Sequence, residues 1–364
     1  MHEPTDHLGP YAAAGPLDVA GRALVAAMPK AELHLHLDGS LRIETALELA
    51  RTREVEAPAD APGMAAALIA PMPCASQAEL LRAFDLPIAL MQDAEALERI
   101  TAELIAAKAA DGVRYQEIRW APGLHTARGL PLADGIAAVC RGAARAAEAT
   151  GAVVRLICTA MRTHDPADNV RLAEVAGRFR ADGLSGWDLA GPEARYPDPT
   201  VHARAFEAAR AAGLRITLHA GEWGGAGQVR RSLALEPERI AHGPSAADDP
   251  ALMAELRDRA VTLDLCPSSN VQAAIVPTVA AHPLARLHRA GNPVTLSTDD
   301  LTVSDVTLSE EYVRAVERIG LSPAELWAID RHALDVAFAE PAALASVRAA
   351  FADFAEAHPE LDPA

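Results

Sequence analysis

Basic charge, cysteine pairs and long apolar runs are all scarce in this chain of 364 residues. The formal net charge of −17 argues against a nucleic-acid partner, because contacts to phosphates need a basic surface. None of the four cysteines lies in a C-x-x-C pair, so neither a disulfide framework nor a cysteine-rich zinc site is indicated. Charges or prolines interrupt the apolar runs, and the start of the chain is polar and acidic. We therefore expect no membrane span, no secretory signal and a cytoplasmic location.

Short apolar runs alternate along the chain with stretches of helical periodicity, often closed by glycine. The candidate strands cover residues 32–37, 113–119, 153–160, 184–190, 214–219, 239–242, 261–265 and 293–298. Eight strands separated by helices predict an α/β protein with a closed (β/α)₈ barrel of the TIM type. A doubly wound open sheet is the alternative, but no G-x-G-x-x-G follows the first strand.

The remaining segments set the expected domain organisation. Residues 1–22 are rich in proline, glycine and alanine and predict a flexible tail. The region 40–92 is too long for one helix, so we expect extra helices after strand one. Residues 340–364 predict a terminal helix and tail. With no repeat and no low-complexity linker, residues 23–364 are expected to form one domain.

The stretch AELHLHLDGS, residues 31–40, is the first candidate site. Side chains alternate between the two faces of a strand, so His34, His36 and Asp38 are expected to point the same way. Such a convergence of polar groups suits a metal or a proton-transfer site. A half-exposed strand with incidental histidines is the alternative, because a short motif needs structural context.

Four further candidate strands run into polar residues. They end in DLAGPE at 188–193, in HAGE with His219 and Glu222, in AHG with His242, and in STDD with Asp299 and Asp300. Taken singly, each could be a loop start, a helix cap or a structural histidine. A barrel brings the carboxyl ends of its strands to one rim, where barrel enzymes carry their chemistry. So many polar strand ends together predict an active site.

The residue types at this rim suit a zinc ion. Imidazole nitrogens and one carboxylate form a ligand set that Zn²⁺ accepts while leaving a position for water, and the candidate ligands are His34, His36, His219 and Asp299. A zinc ion lowers the pKa of a bound water towards ~7. Glu222, three residues beyond a ligand, is placed to transfer protons. His242 is placed either to orient the water or to deprotonate it.

Six motifs together resemble the adenosine deaminase family in order and spacing. They are MPKAELHLHLDGSLR, DLAGPE, HAGE, RIAHG, CPSSNVQ and LSTDD, and the resemblance runs from about Met28 to Phe338. It implies that one zinc per chain is bound by His34, His36, His219 and Asp299. The fold it implies is the same barrel, and the activity is hydrolytic deamination of a 6-aminopurine.

The resemblance also implies roles for individual residues. Glu222 would give a proton to purine N1, and His242 would orient the attacking hydroxide. Asp300 would hydrogen-bond purine N7, and the backbone of Gly191 would meet N3. Asp38 would contact the ribose 5′-hydroxyl, with His36 also beside the substrate. An apolar lid over the purine is implied for the segment with Leu80, Phe84, Leu86 and Ile88, where core packing is the alternative.

Three positions depart from the family pattern: Leu301 replaces a common proline, Ala241 a usual glycine and Pro192 a common acidic residue. They affect the shape of the rim and therefore the choice of substrate. Adenosine or 2′-deoxyadenosine is the expected small-molecule substrate. Aminodeoxyfutalosine, a 5′-modified adenosine or adenine are alternatives, although adenine-specific relatives tend to carry glutamate where this chain has Asp38.

Two other hypotheses about the function are weaker. A non-catalytic binding protein would be expected to lack one of the candidate metal ligands or the acid Glu222, and none of these residues is missing. A two-metal amidohydrolase often uses a lysine at the end of strand four, but the only lysines are Lys30 and Lys108. The oligomeric state stays open.

Overall fold

A computed structural model of the chain describes residues 16–362. Within them, eight strands form one sheet in the order β1 to β8, and every neighbouring pair is parallel. The strands are β1 Lys30–His36, β2 Val113–Trp120, β3 Val153–Met161, β4 Leu184–Ala190, β5 Arg215–Ala220, β6 Arg239–His242, β7 Thr262–Leu265 and β8 Val294–Leu296. All eight predicted strands are confirmed, with ends within two residues of the predicted ones.

The sheet closes between its first and last strands at the rim where the polar residues lie. The amide of His36 donates to the carbonyl of Asp299 at 2.7 Å, and the amide of Asp299 donates to the carbonyl of His34 at 3.1 Å. Leu35 and Asp299 form a parallel bridge between these segments. The predicted (β/α)₈ barrel is therefore confirmed, and its seam is built from candidate site residues.

Helices connect the strands on the outside of the barrel. In the described residues they are α1 Val19–Ala27, α2 Ile43–Thr52, α3 Ala61–Leu68, α4 Gln77–Arg82, α5 Asp85–Leu90, α6 Ala94–Ala110, α7 Leu132–Thr150, α8 Pro166–Ala176, α9 Ala203–Ala211, α10 Gly225–Ser232, α11 Pro250–Asp258, α12 Pro267–Gln272, α13 Leu284–Arg289, α14 Leu308–Arg314, α15 Pro323–Asp335 and α16 Ala345–Ala357. None of these is long and apolar enough to cross a bilayer.

The start of α1 corrects the predicted end of the tail. This helix begins at Val19 because the carboxylate of Asp18 accepts a hydrogen bond from the amide of Gly21 at 2.7 Å. An aspartate in this position satisfies an amide that has no partner inside the helix. The tail predicted over 1–22 is thus helical from residue 19, and residues 1–15 lie outside the described residues.

The extra helices predicted after strand one are confirmed as α2 to α5. Part of this excursion reaches the mouth of the barrel through a small apolar cluster. Its buried members are Ala70, Cys74, Leu80, Ala83, Ala273 and Val303, with Phe84, Trp223 and Ile275 packed against them. The excursion thereby contacts the loops that follow β5, β7 and β8.

The C-terminal helix predicted within 340–364 is confirmed as α16. Phe351 stacks on Trp327 of α15 with ring centroids 5.0 Å apart, which anchors α16 to the outside of the barrel. Both side chains are buried, so the contact removes two aromatic surfaces from water. Residues 363–364 lie outside the described residues.

Candidate active site

Three imidazoles and one carboxylate converge at the carboxyl ends of β1, β5 and β8. The Nε2 atoms of His34 and His36 are 3.3 Å apart, and those of His36 and His219 are 3.1 Å apart. Oδ1 of Asp299 lies 2.9 Å from Nε2 of His34. One ligand atom from each of the four residues lies within 4.8 Å of the other three. The structure therefore brings together all four residues predicted as ligands.

This cluster fits a single tetrahedral ion. Zn–N bonds of about 2.0–2.1 Å place tetrahedral ligands about 3.4 Å apart, close to the separations of the three Nε2 atoms. Burial lowers the pKa of His34 and of His219, so both rings are neutral and can present a lone pair. Three nitrogens and one oxygen form a donor set that zinc accepts.

Asp188 fixes the orientation of one of these rings and was not predicted to have a role. Its carboxylate lies 3.0 Å from Nδ1 of His219, which makes Nδ1 the protonated atom and leaves the lone pair on Nε2. Burial alone would raise the pKa of Asp188, but His219 and the buried Arg119 outweigh burial and hold it below its usual range. The DLAGPE motif contained this residue, but only the tertiary contact reveals its function.

Glu222 lies in the loop after β5, on the wall beside the cluster. Burial, together with the nearby carboxylates of Asp299 and Glu193, raises the pKa of Glu222 well above its usual range. The raised pKa favours the protonated form, so the side chain is suited to give a proton to a bound molecule. Nε2 of His242 lies 3.9 Å from Oε1 of Glu222.

Glu193 holds the loop that carries Glu222, a second role not predicted from the sequence. Its carboxylate accepts hydrogen bonds from the amides of Gly221 and Trp223 at 2.7 Å, and from that of Gly224 at 2.9 Å. Three donors converging on one buried carboxylate fix the backbone on both sides of Glu222. Pro192, one of the departures from the family pattern, directly precedes this residue.

His242 and Asp299 both adopt a left-handed backbone, with φ of 70° in each case. Non-glycine residues rarely adopt this conformation, which costs of order 1–3 kcal/mol and is often found at functional sites. Nε2 of His242 lies 3.7 Å from Oδ2 of Asp299, and Ser269 donates a hydrogen bond to the same oxygen at 2.6 Å. The turn at each strand end thus points a side chain into the rim.

Asp38 reaches the site by a different route from the predicted one. The strand ends at His36, Leu37 has helical φ and ψ, and Asp38 begins a 3₁₀ turn over Asp38–Ser40. The strict strand alternation expected through Asp38 is therefore wrong, because the chain turns inward one residue earlier. The side chain nevertheless approaches Nδ1 of His36 at 3.7 Å.

Asp300 fits into the site only because residue 39 is glycine. A Cβ on Gly39 would lie 1.6 Å from Oδ1 of Asp300. Oδ1 of Asp300 and Oδ1 of Asp38 are both buried and have no hydrogen-bond partner among the described residues. Burial and the neighbouring Asp299 raise the pKa of Asp300 well above its usual range. Both side chains line the cavity, so both carboxyl groups can meet a bound ligand.

These groups line a cavity of about 270 Å³. The predicted site residues on its wall are His36, Asp38, Gly191, His219, Glu222, His242, Asp299 and Asp300, and His34 lies beneath them. Of the residues in the predicted lid, Leu80, Phe84 and Ile88 line the cavity, whereas Leu86 packs against the main core. Trp223 completes the apolar wall, and no described lysine or arginine lines the cavity.

The fold and the rim cluster together define a barrel hydrolase with a ligand set for a metal ion. The solved structures that resemble this chain are of the same class. A zinc-bound amidohydrolase from Burkholderia ambifaria has a TM-score of 0.85 and 27% identity, covering 96% of this chain and 98% of that one. An adenine deaminase from Arthrobacter aurescens has a TM-score of 0.82 and 27% identity, covering 91% and 100%. The N6-methyl-AMP deaminase of Arabidopsis thaliana has a TM-score of 0.79 and 29% identity, covering 93% and 99%.

Sequence comparison identifies the family within this class. The family model for adenosine deaminase matches residues 29–351. The adenosine deaminase of Mycobacteroides abscessus is 41% identical over 329 residues, which are 85% of this chain and 90% of that protein. That of Enterococcus faecalis is 35% identical over 315 residues, or 86% and 93%. The chain belongs to the adenosine deaminase family, whose members generally use a metal ion to hydrolyse C–N bonds of cyclic amidines.

Proposed function

We propose that the barrel with its helices, from α1 at Val19 onward, forms one catalytic domain that deaminates adenosine and 2′-deoxyadenosine to inosine and 2′-deoxyinosine. One zinc ion per chain would be held by His34, His36, His219 and Asp299. The observation that supports this most strongly is the position of Glu222, a carboxylic acid with a raised pKa on the wall of a small cavity beside that ligand set. An acid and a metal site facing the same space suit hydrolysis of an amidine.

The reaction replaces the amino group at purine C6 with the oxygen of water and releases ammonia. When bound, the zinc ion would supply a water of lowered pKa. Glu222 gives its proton to purine N1, which makes C6 electrophilic; of the two protons of the attacking water, one replaces the proton on Glu222 and the other leaves with the amino group as ammonia. Burial and the neighbouring Asp299 raise the pKa of Asp300, which favours the protonated form that donates a hydrogen bond to N7, and the backbone of Gly191 meets N3. His242 contacts the attacking oxygen and orients it.

The charges in the cavity favour an uncharged nucleoside over a nucleotide. The carboxylate of Asp38 lines the cavity, and no described lysine or arginine lines it to offset that charge or to bind a phosphate, whereas the zinc ion would offset Asp299. A 5′-phosphate would carry about two negative charges at neutral pH and would be repelled. Oδ1 of Asp38 lies 3.7 Å from Nδ1 of His36 but has no hydrogen-bond partner among the described residues, so it can instead accept a hydrogen bond from the ribose 5′-hydroxyl. Adenine, aminodeoxyfutalosine and 5′-modified adenosines lack this hydroxyl or replace it, so they are the alternatives to compare.

Replacement of Asp38 tests the nucleoside assignment. Loss of a hydrogen bond to a charged acceptor costs about 1.5–3 kcal/mol, or roughly 10–150-fold in kcat/KM. Asp38→Ala should therefore impair deamination of adenosine by that amount but should change that of 5′-deoxyadenosine much less. Asp38→Asn, which keeps an acceptor oxygen, should lie between wild type and Asp38→Ala. Equal losses on both substrates would show that Asp38 supports the rim instead of binding the sugar.

A further inference from the structure

A line of buried polar side chains runs from His242 away from the cavity into the protein. Nδ1 of His242 lies 3.1 Å from Nδ2 of Asn270 in α12, and Oδ1 of Asn270 lies 3.1 Å from Nε2 of His282. Nδ1 of His282 accepts a hydrogen bond from the amide of Leu284 at 3.2 Å. All three side chains are at most 4% exposed. Sequence patterns assigned no function to Asn270 or His282.

The direction of each hydrogen bond along this line follows from the backbone amide of Leu284, at the end farthest from the cavity. A backbone amide can only donate, so Nδ1 of His282 is the acceptor and carries no proton. Burial lowers the pKa of His282 to about 3, so the ring is neutral near pH 7 and its single proton sits on Nε2. That N–H donates to Oδ1 of Asn270. The side-chain amide is thereby oriented with its NH₂ group towards His242.

The amide of Asn270 then determines which nitrogen of His242 carries the proton. An NH₂ group can only donate, so Nδ1 of His242 must accept and has no proton of its own. The neutral ring therefore carries its proton on Nε2, the atom that faces Glu222 and Asp299. A doubly protonated ring would place two donors against each other 3.1 Å apart, which opposes that state.

Neither Asn270 nor His282 can readily turn its side chain over and so reverse the direction of its hydrogen bonds. The backbone amide of Asn270 donates to the carbonyl of Cys266 at 2.8 Å, and its carbonyl accepts from the amide of Ile275 at 3.0 Å. The backbone amide of His282 donates to the carbonyl of Val279 at 3.1 Å. Because both backbones are tied and both side chains are buried, a flipped amide would set its NH₂ group against the Nε2–H donor of His282 and its oxygen against the lone pair on Nδ1 of His242.

We propose that Asn270 and His282 are positioning residues that hold His242 in the Nε2–H tautomer, so that His242 donates a hydrogen bond into the cavity. The catalytic consequence rests on the proposed function. Of the two roles open to His242, orienting the attacking oxygen is compatible with this tautomer, whereas removing a proton with Nε2 is not. Donors fixed in advance towards a developing charge stabilise a transition state without further reorganisation.

Asn270→Asp would reverse the direction of the hydrogen bond to His242 with almost no change in the shape of the side chain. A carboxylate can only accept, so it would draw a proton onto Nδ1 of His242 while still accepting from His282. We expect kcat for adenosine to fall by about 10²–10³-fold, the usual loss for one transition-state donor, with KM changed less than threefold. Asn292→Asp is the matched control, because Asn292 is also buried and hydrogen-bonded but lies before β8, at the other end of the barrel. This control should keep wild-type kcat.

His282 provides a second pair of variants. His282→Gln can still donate from its amide to Oδ1 of Asn270, so we expect kcat within threefold of wild type. His282→Leu has no donor, leaves the amide of Asn270 free to turn over, and should lower kcat at least tenfold. A purely structural role would predict similar losses for both replacements. That pattern would overturn the proposal.

The tautomer itself can be observed without any substrate. In zinc-loaded protein labelled with ¹⁵N-histidine, NMR correlations distinguish a protonated from an unprotonated ring nitrogen, and His242→Gln identifies the signals of His242. We expect a protonated Nε2 in the wild type and a protonated Nδ1 in Asn270→Asp. A protonated Nδ1 in the wild type, or no change in the variant, would refute the proposal. The expected tautomer in a protein that does not deaminate adenosine would support the positioning role and refute the proposed function instead.

Discussion

Gly39→Ala is a small substitution that should impair the site by displacing the side chain of Asp300. The added Cβ would lie 1.6 Å from Oδ1 and 2.4 Å from Cγ of Asp300, far inside van der Waals contact. The two segments cannot simply separate, because the carbonyl of Gly39 accepts hydrogen bonds from the amides of Thr302 at 3.1 Å and Val303 at 3.0 Å. The carboxyl group of Asp300 must therefore rotate out of its place in the cavity.

The expected loss is that of the hydrogen bond from Asp300 to the purine. Displacing Asp300 leaves the buried N7 without a donor, and an unsatisfied buried acceptor costs about 1–3 kcal/mol, so kcat/KM for adenosine should fall roughly 5–150-fold. Gly227→Ala in α10 is the matched control, because a Cβ there meets nothing within 4 Å. Alanine is also favoured over glycine within a helix by about 1 kcal/mol, so this variant should keep full activity.

A double mutant separates this mechanism from general damage to the fold. If Gly39→Ala acts by displacing Asp300, then adding Asp300→Ala should cause little further loss, because both changes remove the same contact. Steady-state kinetics on the two single variants and the double variant, with circular dichroism as a check on folding, provide the measurement. Multiplicative losses, or a Gly39→Ala enzyme within threefold of wild type, would refute the reasoning.

Three further predictions concern the metal and the acid. Glu222→Gln should keep the zinc and the fold but lose about 10²–10⁴-fold in kcat, because glutamine cannot give a proton to N1; a variant within tenfold of wild type would show that Glu222 is not the acid. His36→Ala should lose zinc in elemental analysis, whereas the wild type should contain one zinc per chain; two metals per wild-type chain would contradict the ligand set. The raised pKa of Glu222 means that its protonated, active form is lost as pH rises through that pKa, so kcat should fall on the alkaline side; an unchanged alkaline limb in Glu222→Gln would assign that limb to another group.

The barrel and the cluster of ligands were predictable because both follow from local patterns. Apolar runs of strand length marked all eight strands, and parallel strands place their carboxyl ends at one rim. His34, His36, His219 and Asp299 each lie at such an end, so their convergence followed from the fold.

The supporting residues were not predictable because their roles depend on tertiary distance. Asp188 and Glu193 both lie in a motif noted in the sequence, but nothing local shows that one meets a ring of β5 and the other the loop after it. Asn270 and His282 are 12 residues apart and meet only through the packing of α12. The turn at Leu37, in contrast, did have a local signal, because Asp38–Gly39 follows directly and Asp-Gly is a typical turn pair.

Zinc titration of metal-depleted protein, with inosine and ammonia measured at each step, tests the central claim most directly. We predict that adenosine deamination rises in proportion to added zinc and reaches its plateau at one ion per chain. AMP and adenine should be converted far more slowly by the same samples. Protein that binds one zinc per chain and leaves adenosine unchanged, or a plateau at two ions, would contradict the proposed function.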